Sequence, residues 1–439
     1  MYLPTDVRAC IDTLERAGFA AYAVGGCVRD SLLGLTPSDF DLCTAALPEQ
    51  TETVFKNCKL VLAGKKHGTI GVVTEGGVVE ITTFRTEGAY LDNRHPEWVE
   101  FVEDITGDLA RRDFTVNAMA WSPTRGFADP FGGREDLKNH VLRAVGDPAT
   151  RFREDSLRIL RGARFAAKYR LETEAETEKA MFELRGLMEN LARERVFEEL
   201  CKLLTHCNAA DLLRFAPIVT AVIPELAPCV GFDQHNPHHI YNVYEHTARV
   251  VEGVPPILSL RWAALLHDVG KPDSFTQEEN GRGHFYGHPK ISADMADSIL
   301  RRLKAPTALR EEVVFLCDRH MVTLEPDRKL LRRRLSQYGE ARTKLLLAIQ
   351  RSDLIATGTR TAAEAAYYDE VEAILKELLA EDQCFQIRDL AVNGNDLMAL
   401  GLKGRAIGQT LQSLLEQVIE EQIPNERAAL LKAIQYEKD

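Results

Sequence analysis

The sequence predicts an α+β fold: a mixed α/β head followed by a long, all-helical remainder. Three observations carry this. Up to about residue 145, short β-rich segments alternate with helical ones. From Arg151 onward apolar residues recur at helical spacing to the C-terminus, and strand patterns nearly vanish. The 439 residues allow roughly three domains, each able to bury a core.

Taken in order, Thr5 to Ala17 reads as an amphipathic helix closed by Gly18, and Ala21-Tyr-Ala-Val as a strand running into Gly25-Gly26. Val28 to Leu33 opens the next helix. Gly68-Thr-Ile-Gly-Val-Val and Val78-Val-Glu-Ile-Thr-Thr-Phe are strands. Arg153 to Tyr169, Glu174 to Met188 and Val196 to Leu204 are helices. Prolines and aromatic breaks over 216–237 place a boundary near residue 230. An Ala/Glu-rich helix over 357–383 leads to a tail holding Gly394, Gly401, Gly404 and Gly408. Four parts result: a head over 1–145, a helical neck over 146–230, a third segment over 231–356 and a tail over 357–439.

Composition narrows the class. The chain is 45% hydrophobic and 27% charged, which excludes a disordered or collagen-like polymer. A net charge of −12 argues against coating nucleic acid by bulk charge, but leaves room for a local basic patch. No run of about 18 apolar residues predicts a membrane span, and the first residues lack a secretion signal. Nine cysteines stand singly, as suits reduced thiols in a cytoplasmic protein.

The first chemical signal is Gly25-Gly-Cys-Val-Arg-Asp30. Gly25 and Gly26 let the backbone approach a ligand, the helix that follows offers free N–H groups to phosphate, and Arg29 adds a positive fork. Ser38-Asp-Phe-Asp-Leu42 comes about a dozen residues later. In a strand, Asp39 and Asp41 share a face and Phe40 points into the core. Two adjacent carboxylates repel unless a cation lies between them, and hard oxygen donors suit Mg²⁺. A glycine cradle followed by such a pair suggests metal-assisted phosphoryl transfer. Glu80 is either a third carboxylate or a plain outward-facing strand residue.

Gly25-Gly-x-Val-Arg-Asp30, Asp39-x-Asp41, Arg111-Arg-Asp-Phe-Thr-Val-Asn-Ala118 and Glu154-Asp-Ser-Leu-Arg158 occur together in order. This set resembles the class II tRNA nucleotidyltransferases of the polymerase-beta superfamily, which include CCA-adding enzymes and bacterial poly(A) polymerases. The resemblance implies that Asp39 and Asp41 hold Mg²⁺. It also implies that Arg111 and Arg112 lie near phosphate and the base-reading helix, with Asp113 toward the ribose. Asp155 and Arg158, i and i+3 on a predicted helix, would read the incoming base. A carboxylate accepts the amino group of cytosine or adenine, and a guanidinium donates to the neighbouring ring acceptor; uracil and guanine present a carbonyl instead. Asp92 and Arg94 resemble the flexible loop that switches such enzymes from C to A. Seven basic and two acidic residues between Arg151 and Arg170 give a local charge of +5, with Arg161, Arg164 and Lys168 as RNA contacts. Arg332-Arg-Arg334 is a second basic cluster.

The helical remainder carries His246, Leu265-Leu-His267-Asp268-Val-Gly-Lys271, His288, His320 and Asp353. Histidine and carboxylate side chains converging from several helices make a metal site that can activate water. The set resembles the HD phosphohydrolase superfamily, with His246, His267, Asp268 and Asp353 as core ligands. His288 and His320 match positions that hold a second metal in some relatives; His239 and His284 read as ordinary histidines. The expectation is therefore transfer of CMP and AMP from CTP and ATP to a tRNA 3′ end, with a divalent metal of open identity at the HD site. The rivals are a poly(A) polymerase, an A-only-adding enzyme, and a metal phosphohydrolase with an RNA-binding head.

Overall fold

The computed structural model describes residues 1–87, 99–236, 239–358, 362–381 and 385–436. The chain divides into two compact units, Met1–Pro224 and Glu225–Asp439.

The first unit opens with α1 (Thr5–Arg16), which buries Val7, Cys10, Ile11 and Leu14 at helical spacing. A seven-stranded sheet follows, built from β1 (Ala21–Val24), β2 (Leu42–Thr44), β3 (Leu60–Val61), β4 (Thr69–Thr74) and β5 (Gly77–Thr83). The short strands β6 (Arg85–Glu87) and β7 (Val99–Phe101) pair only with each other, and β8 (Ala120–Ser122) and β9 (Gly126–Ala128) complete the sheet. The strand order is β3-β4-β5-β2-β1-β8-β9. β2 runs parallel to β5, and the other neighbours are antiparallel.

This topology decides where the chemistry gathers. β1 is antiparallel to both β2 and β8, so the end of β1 lies beside the starts of the other two. Val24 N–H donates to Asp41 O and Gly25 N–H to Met119 O, each at 3.0 Å. The glycine turn, the Asp39/Asp41 segment and the Arg111–Asn117 segment therefore meet at one sheet end. The parallel register Leu42↔Ile81 carries Glu80 alongside Asp41.

Around the sheet lie α2 (Gly26–Leu32), α3 (Pro48–Val54), α4 (Ile105–Ala110) and α5 (Gly133–Lys138). The strand β10 (Val141–Leu142) pairs with β11 (Glu172–Thr173), and the unit closes with α6 (Pro148–Glu154), α7 (Leu157–Tyr169), α8 (Ala175–Glu183), α9 (Arg193–Leu204), α10 (Ala209–Arg214) and α11 (Ala216–Val222). The single helix expected over 153–169 is two. Asp147 and Pro148 start α6 early, with Asp147 capping Thr150 N–H at 2.7 Å. Asp155 then turns extended, with φ −139° and ψ 103°, and its Oδ1 accepts from Leu157 N–H at 3.1 Å, so the chain restarts as α7.

The second unit packs α12 (Val243–Gly253), α13 (Leu258–Leu266), α14 (Lys271–Ser274), α15 (His288–Arg302), α16 (Thr307–Arg319) and α17 (Arg328–Ala356) around the buried Trp262 and Tyr244. α12 lies on α13 and α17, and α15 on α16. The helix α18 (Ala362–Ala380) leads to α19 (Gly394–Ala399), α20 (Arg405–Ile419) and α21 (Arg427–Tyr436), which share a core of their own around Leu397, Leu414 and Leu430. The remainder is not wholly helical. A hairpin of β12 (Phe275–Gln277) and β13 (Gly283–Phe285) turns through Asn280-Gly281, with Gly281 at φ 85°. Asn-Gly is a turn signal in the sequence itself, here between segments that each carry one apolar ring, Phe275 and Phe285.

Candidate active site and metal centre

At the end of the first unit's sheet a cavity of about 500 Å³ opens, and most of the residues expected to act on a nucleotide line it. Gly25 begins the cradle at φ 75°, and a Cβ there would lie 2.9 Å from Arg112 Nη1. Only glycine permits both the turn and that approach. Arg29 does not reach out as a phosphate fork. It is buried, its Nε donates to Asp30 at 2.8 Å, its other nitrogens go to Asn117 and the Tyr169 hydroxyl, and it lies 4.2 Å from the Tyr169 ring centre. It holds α2 against α7.

Asp39 and Asp41 line the cavity wall, but they precede β2 rather than occupy it. The expected strand alternation is corrected accordingly: Phe40 is half-buried, not a core residue. The ladder bond from Val24 to Asp41 O still fixes the segment. The Asp41 carboxyl is pushed above the ordinary carboxylate range, first by lost hydration, then by the charge of Asp39, with Glu80 adding and Arg112 opposing. A divalent cation would relieve that repulsion, and the oxygen-only donor set fits a hard ion.

Arg111 and Arg112 are held side by side by Asp108, which is fully buried on α4. Arg111 donates twice to Oδ1, at 2.9 and 3.0 Å, and Arg112 to Oδ2 at 3.2 Å. Burial works against the Asp108 charge, but the two guanidinium groups outweigh it and hold the carboxyl below its usual value. Arg112 Nε is buried without a hydrogen-bond partner, as is Arg195 Nη1 across the cavity. These orphaned donors suit an anionic ligand. Asp113 is also depressed: burial opposes its charge, but Arg161 at 2.6 Å, Asn117 at 3.0 Å and Phe114 N–H at 2.8 Å stabilise it.

The base-reading residues come together in an unexpected way. Asp155 and Arg158 both line the cavity, but Asp155 lies in the turn before α7, not on a shared helix face. Arg158 Nη1 donates to Glu154 at 2.7 Å and Nη2 to Arg111 O at 2.8 Å. Asp155 Oδ2 accepts from Arg195 at 2.8 Å. Arg161 and Arg164 point into the same wall, bonded to Asp113 and Glu199. Lys168 is exposed. Asp92 and Arg94 lie outside the described residues. The Arg332–Arg334 cluster is largely neutralised, since Arg332 pairs with Glu421 and Arg333 with Glu420.

The sequence reading missed Asp108, Asn117, Tyr169, Arg195 and Glu199. Asp108 had a signal, since it stands three and four residues before the arginine pair. Arg195, forty residues from Asp155, had none.

In the second unit His246 comes from α12, His267 and Asp268 from the end of α13, His288 from the start of α15, His320 from the end of α16 and Asp353 from α17. Asp268 sits at the centre. Its Oδ2 lies 3.5 Å from His246 Nε2 and 3.2 Å from His267 Nε2; its Oδ1 lies 3.4 Å from His288 Nε2 and 3.9 Å from His320 Nε2. Asp353 Oδ1 is 2.8 Å from His246 Nε2. Each histidine's Nδ1 bonds a backbone carbonyl: Ala356 for His246, Ala264 for His267, Phe285 for His288 and Cys317 for His320. That outer shell leaves all four Nε2 atoms as inward-facing donors for a metal. The inward atoms form two overlapping groups, His246, His267 and Asp268 on one side and Asp268, His288 and His320 on the other, each able to hold a metal ion, with Asp353 beside the first. Lys271 lies 2.7 Å from Asp268 Oδ2 and 2.8 Å from Gln234. His239, read from sequence as ordinary, lines the same cavity with its Nδ1 unpartnered.

The chain is similar to known proteins along its length. The Poly A polymerase head domain family matches residues 21–143, the probable RNA and SrmB-binding site of polymerase A residues 170–229, and the putative tRNA nucleotidyltransferase domain 2 residues 274–434. The CCA-adding enzyme of Streptococcus thermophilus is 31% identical over 442 residues, spanning 100% of this chain and 98% of that one. That of Limosilactobacillus fermentum is 33% identical over 97% and 95% of the two chains. The crystal structure of the Bacillus stearothermophilus CCA-adding enzyme in complex with CTP superposes with a TM-score of 0.70 at 26% identity, covering 100% of this chain and 99% of that one.

Proposed function

The chain belongs to the CCA-adding enzyme family of tRNA nucleotidyltransferases, and we infer from this that it transfers CMP from CTP and AMP from ATP to the tRNA 3′ end without a nucleic-acid template. The observation that carries the reading is the single cavity in which the glycine turn, the Asp39/Asp41 pair, the braced arginines and the Asp155/Arg158 pair converge. Family-wide chemistry uses a divalent metal; Mg²⁺ is our assignment, held by Asp39 and Asp41. When bound, it lowers the pKa of the attacking hydroxyl and neutralises triphosphate charge. Arg111 and Arg112, fixed by Asp108, face the phosphates. Asp155 accepts from the amino group of cytosine or adenine, and Arg158 donates to the adjacent ring acceptor through donors left over after its bonds to Glu154 and Arg111 O. The relatives named CCA-adding enzyme along nearly the whole chain favour this reading over a poly(A) or A-only enzyme. The parts we assign are a head over 1–145, a base-reading neck over 146–230, an HD-type segment over 231–356 and a tRNA-contacting tail over 357–439. We place the activity in the cytoplasm; among the described residues no helix is long and apolar enough to cross a membrane.

Asp39→Ala tests the assignment. It abolishes nucleotide addition and leaves tRNA binding, read by filter retention, within about two-fold; retained addition contradicts it.

The second unit supports an additional reading, carried by the four inward Nε2 atoms around Asp268. We infer an HD-type centre for one or two divalent ions that hydrolyses a phosphate ester. Water forms the new P–O bond, the ester P–O bond breaks, and the water proton passes to the leaving oxygen. Metal analysis of purified protein checks it: His267→Ala loses bound metal that the intact chain retains, and equal metal content in both refutes it.

A further inference from the structure

The mouth of the second-unit centre carries an aromatic surface that metal binding does not explain. β13 alternates faces. Phe285 turns inward, 5.5 Å from the Phe275 ring and 6.4 Å from that of Phe232, and so anchors the hairpin. His284 and Tyr286 turn the other way and stack, with ring centres 5.2 Å apart and planes 5° from parallel. His284 Nε2 lies 2.7 Å from Glu278 Oε1 on the same hairpin, and the ring is half-buried beneath Tyr286. Tyr286, the upper ring, is 75% exposed. A large aromatic left open to water, backed by a parallel ring on a hairpin that Phe285 anchors, is poised to stack on a planar partner. It is also close to the metal centre. Tyr286 stands two residues before His288, so their α-carbons are separated by at most about 7 Å, and both line one cavity of about 500 Å³ with Asp268 and Asp353.

We propose that Tyr286, backed by His284, is a nucleobase-stacking subsite of this centre, so that the ligand taken there is a nucleotide with an unpaired base. The inference rests on the hydrolase reading of the centre and deepens it by naming the substrate class. A base on Tyr286 directs the attached phosphate toward the histidine cluster, and the open outer face sets no hydrogen-bond demand, so the subsite tolerates any base. The shared chemistry, base plus phosphate, belongs equally to a free nucleotide and to the last residue of a single-stranded RNA.

The test uses the full chain with added Mn²⁺ and measures phosphate release from adenosine monophosphate, from a single-stranded oligoribonucleotide bearing a 3′-phosphate, and from ribose 5-phosphate. The two base-bearing compounds separate free nucleotide from RNA end. We expect KM for at least one of them to be roughly ten-fold below that for ribose 5-phosphate. Tyr286→Ala removes that advantage and leaves the ribose 5-phosphate values unchanged; Tyr286→Phe and Tyr286→Trp keep it. Photolabelling with 8-azidoadenosine monophosphate in EDTA, with peptide mapping, gives a readout independent of turnover and marks the segment around Tyr286. Hydrolysis that ignores the base and the Tyr286→Ala change overturns the subsite and leaves the hydrolase reading standing. Labelling at Tyr286 without hydrolysis of any compound supports the subsite and overturns the hydrolase. Neither labelling nor hydrolysis overturns both.

Discussion

Asp108 contacts no ligand in the proposed chemistry, yet the two arginines facing the phosphates depend on it. Asp108→Asn keeps the shape and removes the charge, leaving two guanidinium groups against a neutral amide. Breaking a buried pair of this kind costs about 3 kcal/mol, so the variant shows a lower urea midpoint and a raised KM for CTP and ATP alike. An unchanged KM would show that the arginines need no brace. The second unit's histidines set a pH profile for the metal-free chain. Burial, with the charge of His267 second, pulls His320 down to about 4, and burial and Lys271 do the same to His239. Their contribution to stability is present above 6.5 and is lost as pH falls toward 4, because unfolding then takes up protons. Burial opposes the charge of His267, but Asp268 and Asp353 outweigh it and draw the ring up to about 10. Its contribution is full below 6.5 and declines as pH rises toward 10. In EDTA the second unit is thus most stable near pH 6.5, falling by up to about 1.4 kcal/mol per pH unit and group on either side. Denaturant midpoints at pH 4.5, 6.5 and 8.5 check this; a monotonic trend contradicts it.

Among the elements, the β1–α2 turn is one that tolerates no side chain at Gly25 without strain. Gly25→Ala meets both a left-handed φ of 75° and the Arg112 guanidinium 2.9 Å away. The backbone strain alone costs about 1–2 kcal/mol. We expect the protein to fold with a lowered midpoint, while kcat/KM for nucleotide addition falls at least ten-fold because Arg112 is displaced; normal kinetics would remove the turn from the site. This turn was legible in the sequence because Gly-Gly at the end of an apolar run is followed about a dozen residues later by Asp39 and Asp41. The break between α6 and α7 was not. Arg153 to Tyr169 keeps helical spacing throughout, and only the side chain of Asp155, bonding Leu157 N–H and not a neighbour four residues away, interrupts it. The β12–β13 hairpin was overridden by the helical pattern on both sides, although Asn280-Gly281 marked it.

For the whole molecule, residue types and their order singled out groups that the fold then gathers in two places, one set around the first unit's cavity and the other around Asp268. What the order did not reveal is who holds whom. Arg195 against Asp155, Glu199 against Arg164 and Lys271 against Asp268 join distant segments or use residues with many other roles, and only packing selects them. The −12 net charge likewise averages unlike parts: many arginines of the +5 segment are spent on internal carboxylates, leaving Lys168 exposed beside the cavity. The nucleotide cavity and the histidine cluster lie in different compact units, so His267→Ala leaves nucleotide addition within about two-fold of the intact chain, and a larger loss would show that addition depends on the cluster. The central claim is most directly tested by incubating the protein with tRNA lacking its CCA end, CTP and ATP, and resolving the products by length. Extension by three nucleotides that stops at C-C-A, and no extension with UTP or GTP, is the predicted result. A ladder of adenylates, or addition of A only to a tRNA already ending in C-C, would contradict it.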